Sequence, residues 1–314
     1  MDWSDRIGRR LKLRDLHILL AVVQWGSISR AAEHLAISHP VVSKAIADLE
    51  HALGVRLFDR SPKGIEPTAY GRAFLASSRA VFDELRQGVQ NIQFLADPTH
   101  GELRIGSTEP LAAGLTAAVL DRLTVQYPSV IFDVVEADAF MLQRELRERN
   151  VELVIGRFPQ PMREDDLDVK LLFGEQQHIV AGVENHWVGR DKIALTELLD
   201  EAWIFPPLKG MAGSQIRETF LASGVEVPQP RLLTYSIPLR IGLLATARFL
   251  TIFPSSMLNF SAMRQLFMVL PVELPATSRP AGIVTLKGRT LSPLAERFIA
   301  CARELAKAMV AETE

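Results

Sequence analysis

The chain has 314 residues, a length that suggests two or three domains with ample core. Hydrophobic residues make up 48% and charged residues 23%, a globular mix that excludes a disordered or collagen-like chain. The formal charge of −2 hides an asymmetry: residues 1–72 hold eleven Lys/Arg against eight Asp/Glu, and the acidic surplus lies beyond them, as expected if only the head meets a polyanion. The longest stretch without Asp, Glu, Lys or Arg, Phe249 to Met263, contains Pro254 and is shorter than the ~20 residues of a membrane helix. Early charges at Asp2, Asp5, Arg6, Arg9 and Arg10 do not fit a signal peptide, so a cytoplasmic protein without membrane association is expected. Cys301 is the only cysteine, which excludes an internal disulfide framework and a multi-cysteine zinc site.

Leu16, Leu19, Leu20 and Val23 recur at helical spacing, and Trp25-Gly26-Ser27 supplies a stop. A second helix fits Ser29–Leu35, with Ser29 as its cap. A turn at Ala36-Ile37-Ser38 leads to a third, from His39 to about Leu53, with Ser38 as N-cap, Pro40 in the first turn and Gly54 as stop. Ile37, Val41, Ile46 and Leu49 are expected to bury against Leu16, Leu20 and Leu35, leaving His39, Pro40, Ser43, Lys44 and Asp48 outward. Leu57–Arg60 and Glu66–Thr68 flank Ser61-Pro62-Lys63-Gly64, the pattern of a small β-wing. Ala69–Ala96 then reads as one long helix whose Phe74, Val81, Leu85, Val89 and Ile92 form a stripe for dimerisation, and Asp97–Gly101 as a linker.

Beyond Gly101 strands and helices alternate. Strands fit Leu103–Ser107, Val130–Glu136, Val151–Arg157, Val169–Phe173, His178–Val183, Ala202–Phe205, Phe249–Phe253, Phe267–Pro271 and Ala281–Leu286. Helices fit Leu111–Gln126, Phe140–Arg149, Gly213–Ala222, Pro238–Ala247 and Ser292–Ala311. The alternation predicts mostly parallel sheets covered by helices, and the number of strands predicts two α/β lobes.

Two helices joined by a short turn, the second capped and bearing small polar residues in its first turns, can place that second helix in a DNA major groove. Arg60 and Lys63 of the wing stand where they could reach phosphates. The expected DNA-contacting set is Ser29, Arg30, Ser38, His39, Pro40, Ser43, Lys44, Arg56, Arg60 and Lys63. In open α/β sheets ligands sit beyond the C-terminal ends of strands, against helix N-termini. That rule points to Ser107, Thr108, Glu109, Arg157, Phe158, Pro206 and Ser236 as ligand contacts, each of which is otherwise a simple cap or turn residue. Glu109 is unusual for an anion site and suits ligand hydroxyls or an amine. No Gly-x-Ser-x-Gly, Gly-x-x-x-x-Gly-Lys or Gly-x-Gly-x-x-Gly element occurs, and the seven histidines are scattered, so no catalytic residue, metal site or cofactor is expected.

Residues Leu16–Val23, Gly26–Leu35, Ser38–Glu50, Leu53–Arg60 and Thr68–Gly71 together resemble the LysR-type transcriptional regulators over nearly 70 residues without a gap. That family usually carries glutamine where this chain has His39. Shorter pieces, Leu153–Arg157, Pro206-Pro207 and Arg289–Pro293, are similar to the same family, and the chain resembles its branch that includes sugar-responsive regulators. The resemblance implies a winged helix-turn-helix (1–68), a dimerising linker helix (69–97), and an α/β effector domain (101–314) of two lobes like a periplasmic binding protein. Lobe I would take about 101–163 and 268–314, and lobe II about 164–267. The partners implied are double-stranded DNA, a small-molecule effector (a sugar, sugar acid or other small organic acid), further copies of the chain as a dimer or tetramer, and RNA polymerase. The readings from other classes are a solute-binding protein or an α/β enzyme with an accessory N-terminal domain; the signal-peptide and motif observations argue against them.

Overall fold

The computed structural model describes residues 10–61, 64–158, 164–260, 265–275 and 279–311. The chain divides into two units between Val89 and Gln90.

In the first unit, α1 (Leu13–Trp25) buries Leu16, Ile18, Leu19, Ala21 and Val22 and ends on Gly26 in the left-handed region at φ 65°. This C-cap leaves Ser27 extended, and its hydroxyl accepts the Arg30 N–H at 3.1 Å, so α2 (Ile28–His34) starts one residue earlier than expected and Ser27, not Ser29, is its cap. The turn to α3 (His39–Leu53) passes through Ala36 at φ 52°. Val42, Ala45, Ile46, Leu49 and Ala52 form the buried stripe of α3. Ile46 and Leu49 face inward as expected, whereas Val41 is exposed and Val42 takes its place. β1 (Phe58–Ser61) and β2 (Gly64–Pro67) pair antiparallel as the wing, and α4 (Ala69–Ala96) follows. Phe74 packs against the core of this unit rather than joining the open stripe of α4.

Among the described residues, the second unit contains two five-stranded sheets. The first lobe is built from β3 (His100–Ser107), β4 (Ser129–Glu136), β5 (Leu153–Arg157), β6 (Leu167–Glu175) and β12 (Arg279–Leu286), in the order β4-β3-β5-β12-β6. After β3 the chain turns into α5 (Glu109–Leu111), a π-helical turn over Ala112–Thr116, and α6 (Ala117–Gln126); α7 (Ala139–Arg147) follows β4. The second lobe orders its strands β11-β7-β10-β8-β9, from β7 (Gln177–Gly182), β8 (Trp203–Phe205), β9 (Leu232–Leu233), β10 (Leu250–Pro254) and β11 (Phe267–Val269). Its helices are α8 (Met211–Ala222), α9 (Ile237–Leu244) and α10 (Ser255–Phe260), the last not foreseen because Pro254-Ser255-Ser256 reads as a turn.

Two sequence expectations need correction. The sheets are mixed, since β12 runs antiparallel to β5 and β6, and β7 runs antiparallel to β10 and β11. The chain also crosses between lobes at Gln176 rather than at 163/164, because β6 completes the first sheet, and it returns after β11 rather than before it. The reversed strand in each sheet is the one that follows a crossing, β7 after Gln176 and β12 after β11, while β6 and β11 keep the direction of β5 and β10.

Each lobe has its own core. In the first, Leu103, Ile105, Leu115, Val119, Leu153 and Ile283 pack against α11 (Pro293–Ala311) through Leu294, Phe298, Cys301 and Ala302, so the lone thiol is a core group. In the second, Phe220 packs edge-to-face against Trp203 and Phe205, with the three ring centroids 5.1–6.0 Å apart, and the Trp203 indole N–H donates to the Leu198 carbonyl at 2.8 Å.

Candidate nucleic-acid interface and effector cleft

With Val42, Ile46 and Leu49 turned into the core, α3 presents His39, Pro40, Lys44, Ala47 and Asp48 to solvent. Ser43 is half-buried, its Oγ 3.5 Å from His39 Nδ1. Ser38 stands at the N-cap position with extended backbone and no side-chain cap bond, so its exposed hydroxyl does not close the helix end. Ser29, Arg30 and Arg56 are exposed as well. Arg60 lies on β1 opposite Ile65, and Lys63 falls outside the described residues.

Three residues without an assigned role tie the start of the wing to α3 and to the start of α4. The Glu50 carboxylate accepts the Leu57 N–H at 2.8 Å and the Phe58 N–H at 3.3 Å, tying the reading helix to the start of β1. Thr68 donates its hydroxyl to the Arg56 carbonyl at 2.8 Å and accepts the Gly71 N–H at 3.0 Å. Gly71 has no room for a side chain, because a Cβ there would stand 2.0 Å from the Leu57 carbonyl oxygen. Gly71→Ala is therefore expected to cost about 1–3 kcal/mol by overpacking and to loosen the wing. Thermal melting and a binding titration on unrelated DNA read both effects.

In the second unit the sequence-predicted effector residues separate into two groups. Thr108, Glu109 and Arg157 stand at the C-terminal ends of β3 and β5, and two of them reach the second lobe. Glu109 Oε1 accepts the Ile237 N–H of α9 at 2.5 Å, and Arg157 Nη1 donates to Gln215 Oε1 of α8 at 3.0 Å. Ser236 caps α9 by accepting the Leu239 N–H at 3.3 Å. The other three are enclosed. Ser107 is fully buried with its Oγ 3.0 Å from Thr116 Oγ1, Phe158 is fully buried in the core around α7, and Pro206 is buried at the end of β8.

Charged groups missed in the sequence complete the cleft. Glu175, fully buried at the end of β6, pairs with Arg157 Nε at 3.2 Å and accepts the Ser256 N–H at 3.1 Å. Burial pushes its carboxyl above the usual range, opposed by Arg157 and Ser256. Burial also raises Glu109, with the Ile237 N–H opposing it. Arg240 of α9 is buried over the Phe253 ring and donates to Thr251 Oγ1 and the Ile252 carbonyl, both at 2.6 Å from Nη2. Burial pulls its guanidinium down to about 9, still protonated at neutral pH. Ser255 and Gln176 exchange hydrogen bonds where the chain changes lobe, and Gly114 in the π-helical turn lets α10 approach so closely that a Cβ would lie 2.4 Å from the Ser256 carbonyl oxygen. A cavity of about 390 Å³ lies away from this cleft, lined by Phe94, His100 and Leu294 among others.

A winged helix-turn-helix followed by a long helix and a two-lobed α/β domain defines a DNA-binding transcription regulator with an effector-binding domain. Residues 13–72 match the bacterial regulatory helix-turn-helix protein, lysR family, and residues 96–307 match the LysR substrate binding domain, so the chain belongs to the LysR family. The transcriptional regulator GbpR of Azospirillum brasilense is 28% identical over 296 residues, which cover 94% of this chain and 86% of that protein. The uncharacterized regulator YdcI of Escherichia coli K12 is 27% identical over 293 residues, covering 93% and 95%. Among solved structures, a full-length OxyR variant from Pseudomonas aeruginosa superimposes with a TM-score of 0.67 at 20% identity, covering 93% of this chain and 95% of that one. Full-length CbnR complexed with target DNA gives a TM-score of 0.54 at 21% identity over 94% and 100%. These structures share the fold. Regulators of this family bind DNA and small-molecule effectors and form oligomers. Among the described residues no helix is long and apolar enough to cross a membrane.

Proposed function

We propose that this regulator reads its operator with the first turns of α3 and is controlled by a small organic molecule held between the lobes of its second unit. Ser43 and Lys44 reach base edges, with Ser38, His39 and Pro40 beside them. Ser29, Arg30, Arg56, Arg60 and Lys63 contact the backbone. The effector meets Thr108, Glu109, Arg157 and Ser236, while Ser107, Phe158 and Pro206 support the walls. Val81, Leu85, Val89 and Ile92 join two copies. The reading includes a cytoplasmic, non-catalytic protein that acts on RNA polymerase.

The observation that supports it most is the division of α3, which buries Val42, Ala45, Ile46, Leu49 and Ala52 while Pro40 and Lys44 remain open at the end that would enter the groove. Ser43→Ala with Lys44→Ala is expected to weaken specific binding by about 1–3 kcal/mol for each side chain that reads a base, roughly tenfold to a hundredfold each. Neither side chain belongs to the core, so the melting point should hold. A footprint on the chain's own upstream DNA checks this, and protection equal to the parent's removes α3 as the reader.

A further inference from the structure

A helix N-terminus offers free N–H groups and a positive dipole end, and it is the ordinary docking point for an anion. At the start of α9 that point is already taken. Glu109 reaches across from the first lobe and accepts the Ile237 N–H, a link between residues 128 positions apart. Both cleft arginines are committed as well. Arg157, only 12% exposed in its side chain, is held by Glu175 and Gln215, and the buried Arg240 by Thr251 and Ile252. A carboxylate entering here meets Glu109 as a like charge and finds each of these cations already engaged. Thr108 Oγ1, next to Glu109, is by contrast a buried hydroxyl oxygen with no hydrogen-bond partner among the described residues, able both to donate and to accept. The two acids Glu109 and Glu175 balance the two arginines, and Glu136, the other acid acting on Glu109, is exposed and screened, so an ammonium finds no surplus of negative charge either.

We infer that the cleft takes an uncharged, hydroxyl-bearing ligand and that Glu109 sets this preference, closing the α9 N-terminus to anions and accepting a ligand hydroxyl on its second oxygen. The inference rests on the reading that the effector binds between the lobes. Thr108 supplies the second hydrogen-bond partner, and its loss weakens an uncharged ligand without altering the discrimination against acids.

The test titrates the full chain with matched pairs that differ by a carboxylate, D-galactose against D-galacturonate and D-glucose against D-glucuronate, and with acetate as a bare anion. Calorimetry and thermal shift are the readouts. The parent should bind the uncharged member of a pair at least about tenfold more tightly and ignore acetate. Glu109→Ala should lose about tenfold for the uncharged sugar and gain binding of acetate and the acids, because the Ile237 N–H is released. Glu109→Gln keeps an oxygen on that N–H without the charge, and serves if the alanine variant folds poorly; it should retain the sugar within a few-fold and tolerate the acid. An acid that binds the parent more tightly than its neutral twin, and is weakened by Arg157→Gln, overturns the inference while leaving the cleft as the site. Failure of both Glu109 variants to gain any anion binding overturns it too, whatever the sugars do. A probe whose affinity is the same in the parent, Glu109→Ala, Arg157→Gln and Thr108→Val binds elsewhere, and that result sinks the cleft reading itself.

Discussion

Leu85→Arg combined with Val89→Arg is expected to yield a protein that sediments as a single 34.9 kDa chain and binds its operator about 10²–10⁴-fold more weakly than the parent. On α4, Val81, Leu85, Val89, Ile92 and Leu95 are 41%, 50%, 54%, 69% and 82% exposed and recur every three or four residues, which makes one continuous apolar face. The face of α4 that includes Leu75, Ser78, Asp83 and Gln87 is buried within the chain, so the open stripe is not that helix's way of docking onto its own core. A contiguous apolar face of this kind is unusual on a monomer, and in the proposed two-fold dimer a second copy would cover it with the same helix. Two arginines at its centre put unpaired charge where the partner's leucine and valine must pack. The folded unit itself should survive, because neither position contributes to its buried core. Linked half-sites bind with a high effective concentration that separated monomers lack, which is why the drop in DNA affinity should far exceed that from any single side chain. An undiminished dimer in sedimentation would place the interface elsewhere.

The first unit was legible because its signals are local. Gly26 and Gly54 stop helices by entering the left-handed region, Pro40 marks a first turn, and the spacing of Leu16, Leu19, Ile46 and Leu49 declares a buried face. Its errors were shifts of phase. Ser27 and Ser29 both precede a helical run, and only the extended backbone forced on Ser27 by the preceding glycine selects it as the cap. Val41 and Val42 are equivalent in type, and the start of α3 at His39 decides which turns inward. In the second unit the strands were legible from their apolar runs, but sheet membership was not. β6 and β12 pair over Leu167–Glu175 and Arg279–Leu286, a neighbourhood set by how the chain returns from the second lobe. The cleft was the least legible part. Ser107 has the position of a ligand contact and is instead enclosed with Thr116, whereas Glu109 and Arg157 matter through residues distant in sequence. No spacing in a single chain announces a pairing between Glu109 and the backbone of Ile237.

Glu175→Ala is expected to destabilise the second unit by about 3 kcal/mol, whereas Glu175→Gln should cost less than about 1 kcal/mol. The alanine variant removes the acceptor of the Ser256 N–H, leaves a void at a position with no solvent exposure, and strips Arg157 of its charged partner. Removal of one partner of a buried pair costs about 3–5 kcal/mol, and the slight exposure of Arg157, together with its bond to Gln215, puts this site at the lower end. For a domain of this size that corresponds to a fall in Tm of roughly 6–12 °C. Glutamine keeps the shape and the oxygen for Ser256 and gives up only the charge, which burial already disfavours. The pH dependence separates shape from charge. Because the folded carboxyl sits above its ordinary range, the folded state holds the proton more firmly than the unfolded chain. The stability from that proton is fully present below the unfolded pKa and is lost as pH rises through the raised folded value. Glu175→Gln should therefore gain on the parent as pH climbs from the ordinary carboxylate range towards neutrality, and the two melting curves should converge in acid. Since Glu175 closes β6 at Gln176, where the chain crosses between lobes, the alanine variant should also weaken coupling of the two sheets and melt in two steps rather than one. Equal losses in the two variants would mean that the charge, not the packing and the hydrogen bond to Ser256, holds this crossing together.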